Sequence, residues 1–304
     1  MQLDAVLRSL FLHCQDANQI RLLVIYKTTS DFHTQQYSQL AREYPEVDFV
    51  EQTHFRRNVL ELLTTYGTQR PVGILRRWLI GLGPGFGLIN NMSLALRPQQ
   101  DVLFLVDDNL FVRSFNMHDV HEALLAHPEA LGFSLRLGTN TTYCYPVDKA
   151  QTLPPFTPLY NGIMEYNWVD AGDLGHDFGY PLEVSSSVYR VNELLPFMNS
   201  LPFENPNTLE GRMAARAHAF RSSNPYLLCY ERSAAFCSPV NMVQEVSANR
   251  VGATPEYSTE HLAKMYNAGY RIKVEAYGDF VPNACHQEVQ LVLEKRRPML
   301  KQST

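Results

Sequence analysis

Apolar residues in the first half of the chain alternate between short continuous runs and helical spacing. Arg21 to Lys27 (RLLVIYK) is a β-branched and aromatic run of the kind that forms a strand buried on both faces. Polar TTSDFH separates it from residues 35–44, where Tyr37, Leu40, Ala41 and Tyr44 recur at helical spacing and Pro45 closes the segment. VDFV at 47–50 predicts a second strand. Phe55 to Tyr66 predicts a second helix, with Phe55, Val59, Leu62 and Leu63 on one face and Gly67 as its C-cap. Asp101 to Val106 (DVLFLV) is the most strand-like run in the chain, followed by a helix over Met117 to Ala126 and a strand over Leu131 to Leu137. Strands alternating with helices predict an α/β domain with a largely parallel sheet. In such a sheet ligands sit beyond the carboxyl ends of the strands, which gathers 27–31, 51–54, 107–109 and 138–143 around one crevice.

From Pro146 to Pro181 the periodicity fades. Pro, Gly, Tyr and Asp dominate there, and the stretch reads as a long functional loop. Order resumes with strand-like Leu182 to Val191 and a helix over Val191 to Asn199. Residues 205–208 then form a cap before a helix over Leu209 to Phe220. Short apolar runs at Tyr226 to Tyr230 and Ala234 to Phe236, a helix over Ser258 to Asn267 and a strand over Val289 to Leu293 complete the pattern. No repeat or linker divides the chain, so 1–304 is expected to be one domain whose halves meet near residue 145.

Composition narrows the class. The chain is 45% hydrophobic and 19% charged with net charge −5, which excludes wholesale disorder and a nucleic-acid footprint. Its five cysteines, at 14, 144, 229, 237 and 285, include no CxxC pair, so neither a zinc ribbon nor a disulfide framework is expected. MQLDAVLRSLFLHC at the start carries Asp4 and Arg8 and lacks a cleavage site, and no apolar run is long enough to span a bilayer. A cytoplasmic protein is expected. The glycine-broken apolar segment 72–96 reads first as a buried or lid-forming element. Its second reading is a peripheral contact at the inner face of the membrane.

DVLFLVDDNLF is the most informative segment. An apolar run enters Asp107-Asp108-Asn109 and returns to Leu110-Phe111. Adjacent carboxylates at a buried strand tip repel unless donors or a cation neutralise them, and a hard divalent ion that also bridges a diphosphate does this well. Asp-Asp-Asn is equally good turn chemistry. A strand VIYK, a second strand ending in acid (DFVEQTHF) and a strand running into VDDN together resemble a glycosyltransferase of the GT-A fold, family-2-like. FSLRLG with TTYCYP, GYPLEVSS with VYR, and NPNTLE are similar to a bacterial and algal-virus branch of that group. The resemblance spans most of the chain. It implies a Rossmann-like GT-A fold, a mostly parallel central sheet flanked by helices, with a nucleotide-sugar half to about residue 145 and an acceptor half beyond.

What the resemblance implies can be carried over residue by residue. Asp107, Asp108 and Asn109 occupy the DxD position that holds Mn2+ or Mg2+ against the diphosphate, Asn109 standing where many members have a third acid. His286, in PNACHQEV, corresponds to a C-terminal metal ligand. Glu210, in NPNTLEGRM, falls near a helix start where the family places the base that deprotonates the acceptor hydroxyl, and Asp177 in GHDFGYP is its rival. A helix N-terminus would lower the pKa of Glu210, so a base there needs burial to offset it. Tyr26, Lys27, Thr28 and Glu51 lie where the nucleoside is held, with Arg57 and Arg136 as phosphate partners. Trp168 and Tyr180, among Tyr160, Tyr166 and several Asp, suit the faces and hydroxyls of a sugar acceptor. The expected activity is inverting transfer of a sugar from a nucleotide-sugar to a hydroxyl of a glycan or glycolipid. A sugar nucleotidyltransferase is the alternative enzyme, although TTSDFH lacks its glycine-rich loop. A catalytically silent carbohydrate-binding relative is the alternative from another class.

Overall fold

The computed structural model describes residues 1–67, 100–172, 176–239, 257–278 and 280–296. The segment 72–96, expected as a lid or membrane contact, lies outside the described residues. The chain opens with helix α1 (Gln2–His13), then β1 (Leu22–Tyr26), α2 (Asp31–Glu43), β2 (Val47–Glu51) and α3 (Phe55–Gly67). Next come β3 (Asp101–Leu103), β4 (Asn109–Phe111), α4 (Met117–Ala126) and β5 (Ala130–Ser134). β6 (Tyr143–Cys144) precedes the stretch expected as a loop, which itself holds β7 (Lys149–Ala150), β8 (Thr157–Pro158), β9 (Ile163–Asn167) and the single turn α5 (Trp168–Ala171). Then follow β10 (Ser187–Arg190), α6 (Val191–Asn199), α7 (Pro206–Arg216), β11 (Tyr226–Tyr230) and β12 (Ala235–Cys237). Helix α8 (Thr259–Asn267), β13 (Tyr270–Ile272) and β14 (Leu293–Lys295) end the described fold.

Helices α2, α4 and α7 start where polar side chains absorb free N–H groups. Ser30 caps α2 by accepting from His33 N–H (3.3 Å). Asn116 caps α4, and Asp16 adds acceptors for Met117 N–H (2.9 Å) and His118 N–H (2.8 Å). Asn205 and Thr208 form a reciprocal capping box on α7.

In the central sheet β3, β10, β5, β11, β9 and β8 are neighbours in that order. Among the described ladders of this sheet only β5–β11 is parallel. β10 runs antiparallel to both β3 and β5, and β9 antiparallel to β11 and β8. The mostly parallel, Rossmann-like GT-A sheet expected from the alternation of elements is therefore not what forms. The protein is α/β with a small, mixed, mostly antiparallel central sheet. Three causes account for the difference. β1 and β2 are parallel but pair with each other in a sheet of their own. DVLFLV yields a strand only over Asp101–Leu103. The expected loop contributes a hairpin instead, in which Asn161 (φ 53°) and Gly162 (φ 71°) make the two-residue turn between β8 and β9.

Helices cover both faces of this sheet. Leu131, Leu227 and Cys229 face the layer of α3, α6 and α7 with Tyr166, Phe178, Met198 and Met213. Phe133 and Leu228 point the other way, into the layer of α1 and α4 with Leu10, Phe111 and Val120. Each fully buried side chain of this size contributes on the order of 2 kcal/mol relative to exposure. Gly132 lets β10 approach β5, because a Cβ there would stand 2.6 Å from the Tyr189 ring and 2.7 Å from Val188 O.

Candidate active site

The segment after β3 is shaped by Asn109. Its Oδ1 accepts from Val106 N–H (2.7 Å), its amide donates to Cys237 Sγ (3.2 Å), and the residue is 0% exposed. Expected as a metal ligand, Asn109 instead ties the turn that presents Asp107 and Asp108 at the strand tip. The tripeptide is Asp-Asp-Asn, so the Asp-x-Asp form of the motif is not present. Asp107 is open to solvent, yet the protein around it raises its carboxyl above the usual range, as at the mouth of a crevice. Asp108 is half-buried, and its Oδ1 is buried without a hydrogen-bond partner among the described residues. Burial, and then the charge of Asp107, push its pKa up to about 7.

Arg136 follows β5 and is 5% exposed. Its Nε stands 3.5 Å from Oε1 of Glu183, itself buried and accepting from Ser187 Oγ and Ser185 N–H. Burial works against the guanidinium charge, but Glu183 and the neighbouring acids hold its pKa well above the ordinary value. One terminal nitrogen of Arg136 donates to His286 Nε2 at 3.5 Å. Burial, reinforced by Arg136, pushes His286 down to about 3, so the imidazole is neutral, and its Nδ1 is buried without a partner among the described residues.

Glu210 lies on the second turn of α7, because the helix begins at Pro206 behind the Asn205 cap. Burial raises its carboxyl; Arg136 pulls it back and Glu183 pushes it further up. Its oxygens accept from Val184 N–H (3.0 Å) and Tyr180 OH (3.4 Å). Asp177 is clamped by Gln151, whose amide donates to Oδ2 (3.0 Å) and whose Oε1 accepts from Asp177 N–H (3.1 Å). Burial raises Asp177 too, against the pull of Arg136. Asp108, Asp177 and Glu210 thus all feel the same buried cation.

These tips meet for a topological reason. β3 and β5 are both antiparallel to β10, so they share a direction with each other and with β11. Their carboxyl ends emerge on one side of the sheet, although the sheet is not parallel. The donor-side candidates collect at the matching end of the small sheet. Tyr26 is paired in register with Glu51, its ring stacks on Tyr37 (centroids 4.6 Å apart), and Thr28 Oγ1 accepts from Thr34 (3.0 Å). Lys27 is exposed. Burial and then the charge of Asp107 raise the Tyr37 phenol. Arg57 is exposed and bonds Thr53 Oγ1 (3.2 Å) within its own loop and helix. Trp168 does not join the crevice. It is 3% exposed, its indole N–H donates to Asn224 O (2.7 Å), and it packs in the core beside Tyr166 and Phe178.

Sequence reasoning passed over Glu183, Gln151 and Tyr37. The signal for Glu183 was its place between Leu182 and Val184, a charge in an apolar run like that of Arg136. Among the described residues no group of three or more His, Cys, Asp or Glu converges as a metal site. What stands ready is a pair of adjacent acids, one oxygen of which is unpartnered. A hard cation often takes only one or two carboxylates and completes its shell with waters and substrate phosphates, so this donor set fits.

No family model matches the chain. The bifunctional glycosyltransferase pgtA of Dictyostelium discoideum is 23% identical to it over 273 residues, 82% of this chain and 32% of that protein. The chain is a distant, partial homologue of a glycosyltransferase. It spans about a third of the relative's length. No helix among the described residues is long and apolar enough to cross a membrane. All five cysteines are buried and free.

Proposed function

We propose that this chain transfers a sugar from a nucleotide-sugar to a hydroxyl of a glycan or glycolipid, with inversion. The observation that carries the reading is the gathering of Asp108, Asp177 and Glu210, from distant segments, around the buried Arg136. The distant homology points to the same class. Glu210 is the base. Its raised pKa makes it a stronger proton acceptor than an exposed carboxylate, and Tyr180 and Val184 fix its two oxygens. Asp177, held by Gln151, orients the acceptor. Asp107 and Asp108 would hold Mn2+ or Mg2+, and the ion would neutralise the leaving diphosphate. Arg136 is too buried to reach a phosphate in the crevice. It acts as a fixed positive charge beneath the site, held by Glu183. The Tyr26–Tyr37 stack with Lys27, Thr28 and Glu51 would receive the nucleoside, with Arg57 at the edge.

The test is a thermal-shift panel of UDP, GDP, dTDP and CMP, each with and without Mn2+, followed by assay of nucleoside diphosphate release. One nucleotide should raise the melting temperature, and more so with Mn2+. Asp108→Ala should abolish both the metal-dependent part of that shift and turnover while leaving the fold intact. A panel in which no nucleotide shifts the melting temperature overturns the donor-site assignment.

A further inference from the structure

A second polar cleft lies on the α1/α4 side of the sheet, whereas Glu210 rides on α7 on the other side. It measures about 310 Å³ and is lined by Arg113, Asn116, Asp119, Asn161, Tyr230 and Arg232. The chain leaves β4 through Val112, pinned by its N–H to Ala234 O (2.9 Å), and so delivers Arg113 into the cleft. Nε of Arg113 is buried with no hydrogen-bond partner among the described residues. Tyr230 contributes a half-buried ring whose far side packs edge-on against Phe133 (centroids 4.9 Å apart). Tyr160, 40% exposed, precedes the Asn161-Gly162 turn that holds the rim. Burial and the charges of Glu122 and Asp119 raise its phenol, so these acids stand close to it.

The chemistry of the lining selects a ligand. An unpartnered guanidinium nitrogen demands an acceptor, while Asp119 and the neighbouring Glu231 demand donors. A phosphate would be repelled by the acids and a cation by Arg113 and Arg232. Vicinal hydroxyls both donate and accept, and the CH face of a sugar ring suits an aromatic flank. The volume is at the small end of ligand pockets, about 300 Å³, which suits a mono- or disaccharide. We propose that this cleft is a second saccharide-binding site, taking a neutral pyranose unit of the glycan on which the active-site crevice operates. The identity of the ligand as part of that glycan rests on the glycosyltransferase reading; the fit to a polyol does not.

The experiment is saturation-transfer NMR on the full chain with methyl glycosides of glucose, galactose, mannose and N-acetylglucosamine, and inorganic phosphate as a competitor. At least one glycoside should bind and resist phosphate. Tyr160→Ala, an exposed change that the fold tolerates, and Asp119→Asn should each weaken that binding about tenfold, the scale of a lost hydrogen bond or ring contact. No binding of any glycoside, displacement by phosphate, or binding that both variants leave intact each overturns the proposal. Glycoside binding without any nucleotide-induced shift would keep the cleft and sink the transferase reading. The reverse result would sink the cleft alone.

Discussion

Glu210 shows how burial strengthens a carboxyl group's hold on its proton. Its folded pKa lies above the ordinary 4.5, so the folded chain binds this proton more tightly than the unfolded chain does. The stability it contributes is therefore full below about pH 4.5 and is lost as pH rises through the folded pKa. Glu210→Gln should melt with the wild type at pH 4 and above it at pH 8, while turnover at pH 8 falls about 10²–10⁴-fold, the range for a lost general base. A variant no more stable than wild type at pH 8 would show the carboxylate to be fully compensated where it sits. Glu210, Asp177, Asp108, Arg136 and His286 were all legible as residue types in suggestive contexts. Their partners were not. Trp168 among polar neighbours looked ligand-facing, yet its indole is spent on Asn224 O in the core. Asn109 looked like a ligand, yet both ends of its amide hold the turn. A side chain's direction depends on contacts that no local window contains.

Among the elements, α7 carries the most consequence, because its start sets where Glu210 stands. Asn205 accepts from Thr208 N–H (2.9 Å), and Thr208 Oγ1 accepts in return from Asn205 N–H (3.0 Å). Asn205→Ala should cost about 1 kcal/mol in urea denaturation. Adding Thr208→Ala should cost less than the sum of the single changes, since the box acts as one unit. Additive costs would mean that the two halves work independently. The helix Met117–Ala126 was legible and has a capping Asn116 at its start, whereas Val191–Asn199 was legible without any capping side chain. Helix α1 went unread. It is a buried strut, with Leu10 in the α4 layer, Ala5 against α8 and β13, and Leu7 against α2 and β2, so its apolar residues lie on several faces. β9 was hidden inside a Pro- and Gly-rich stretch, although Asn161-Gly162 was a hairpin signal in plain view.

At the scale of the whole molecule, the central sheet and the β1–β2 pair differ in how they are held. β5 is buried at every position and bonded on both sides, whereas β1 is only partly buried throughout and has one strand partner among the described residues. Amide hydrogen exchange should therefore be slowest in β5 and β11, at the rate of global unfolding, and faster in β1 and β2. Equal protection would show one cooperative unit instead. The sequence by itself determined the alternation of elements, the acids at the strand tip and the glycosyltransferase-like order of motifs, because periodicity, caps and residue chemistry are local. Only the tertiary structure decided that β10 lies between β3 and β5, that the sheet is mixed, and that Glu183 secures Arg136 among three further carboxylates. Strand pairing and charge clustering join residues far apart in the chain, and their energies exist only once the chain has closed on itself.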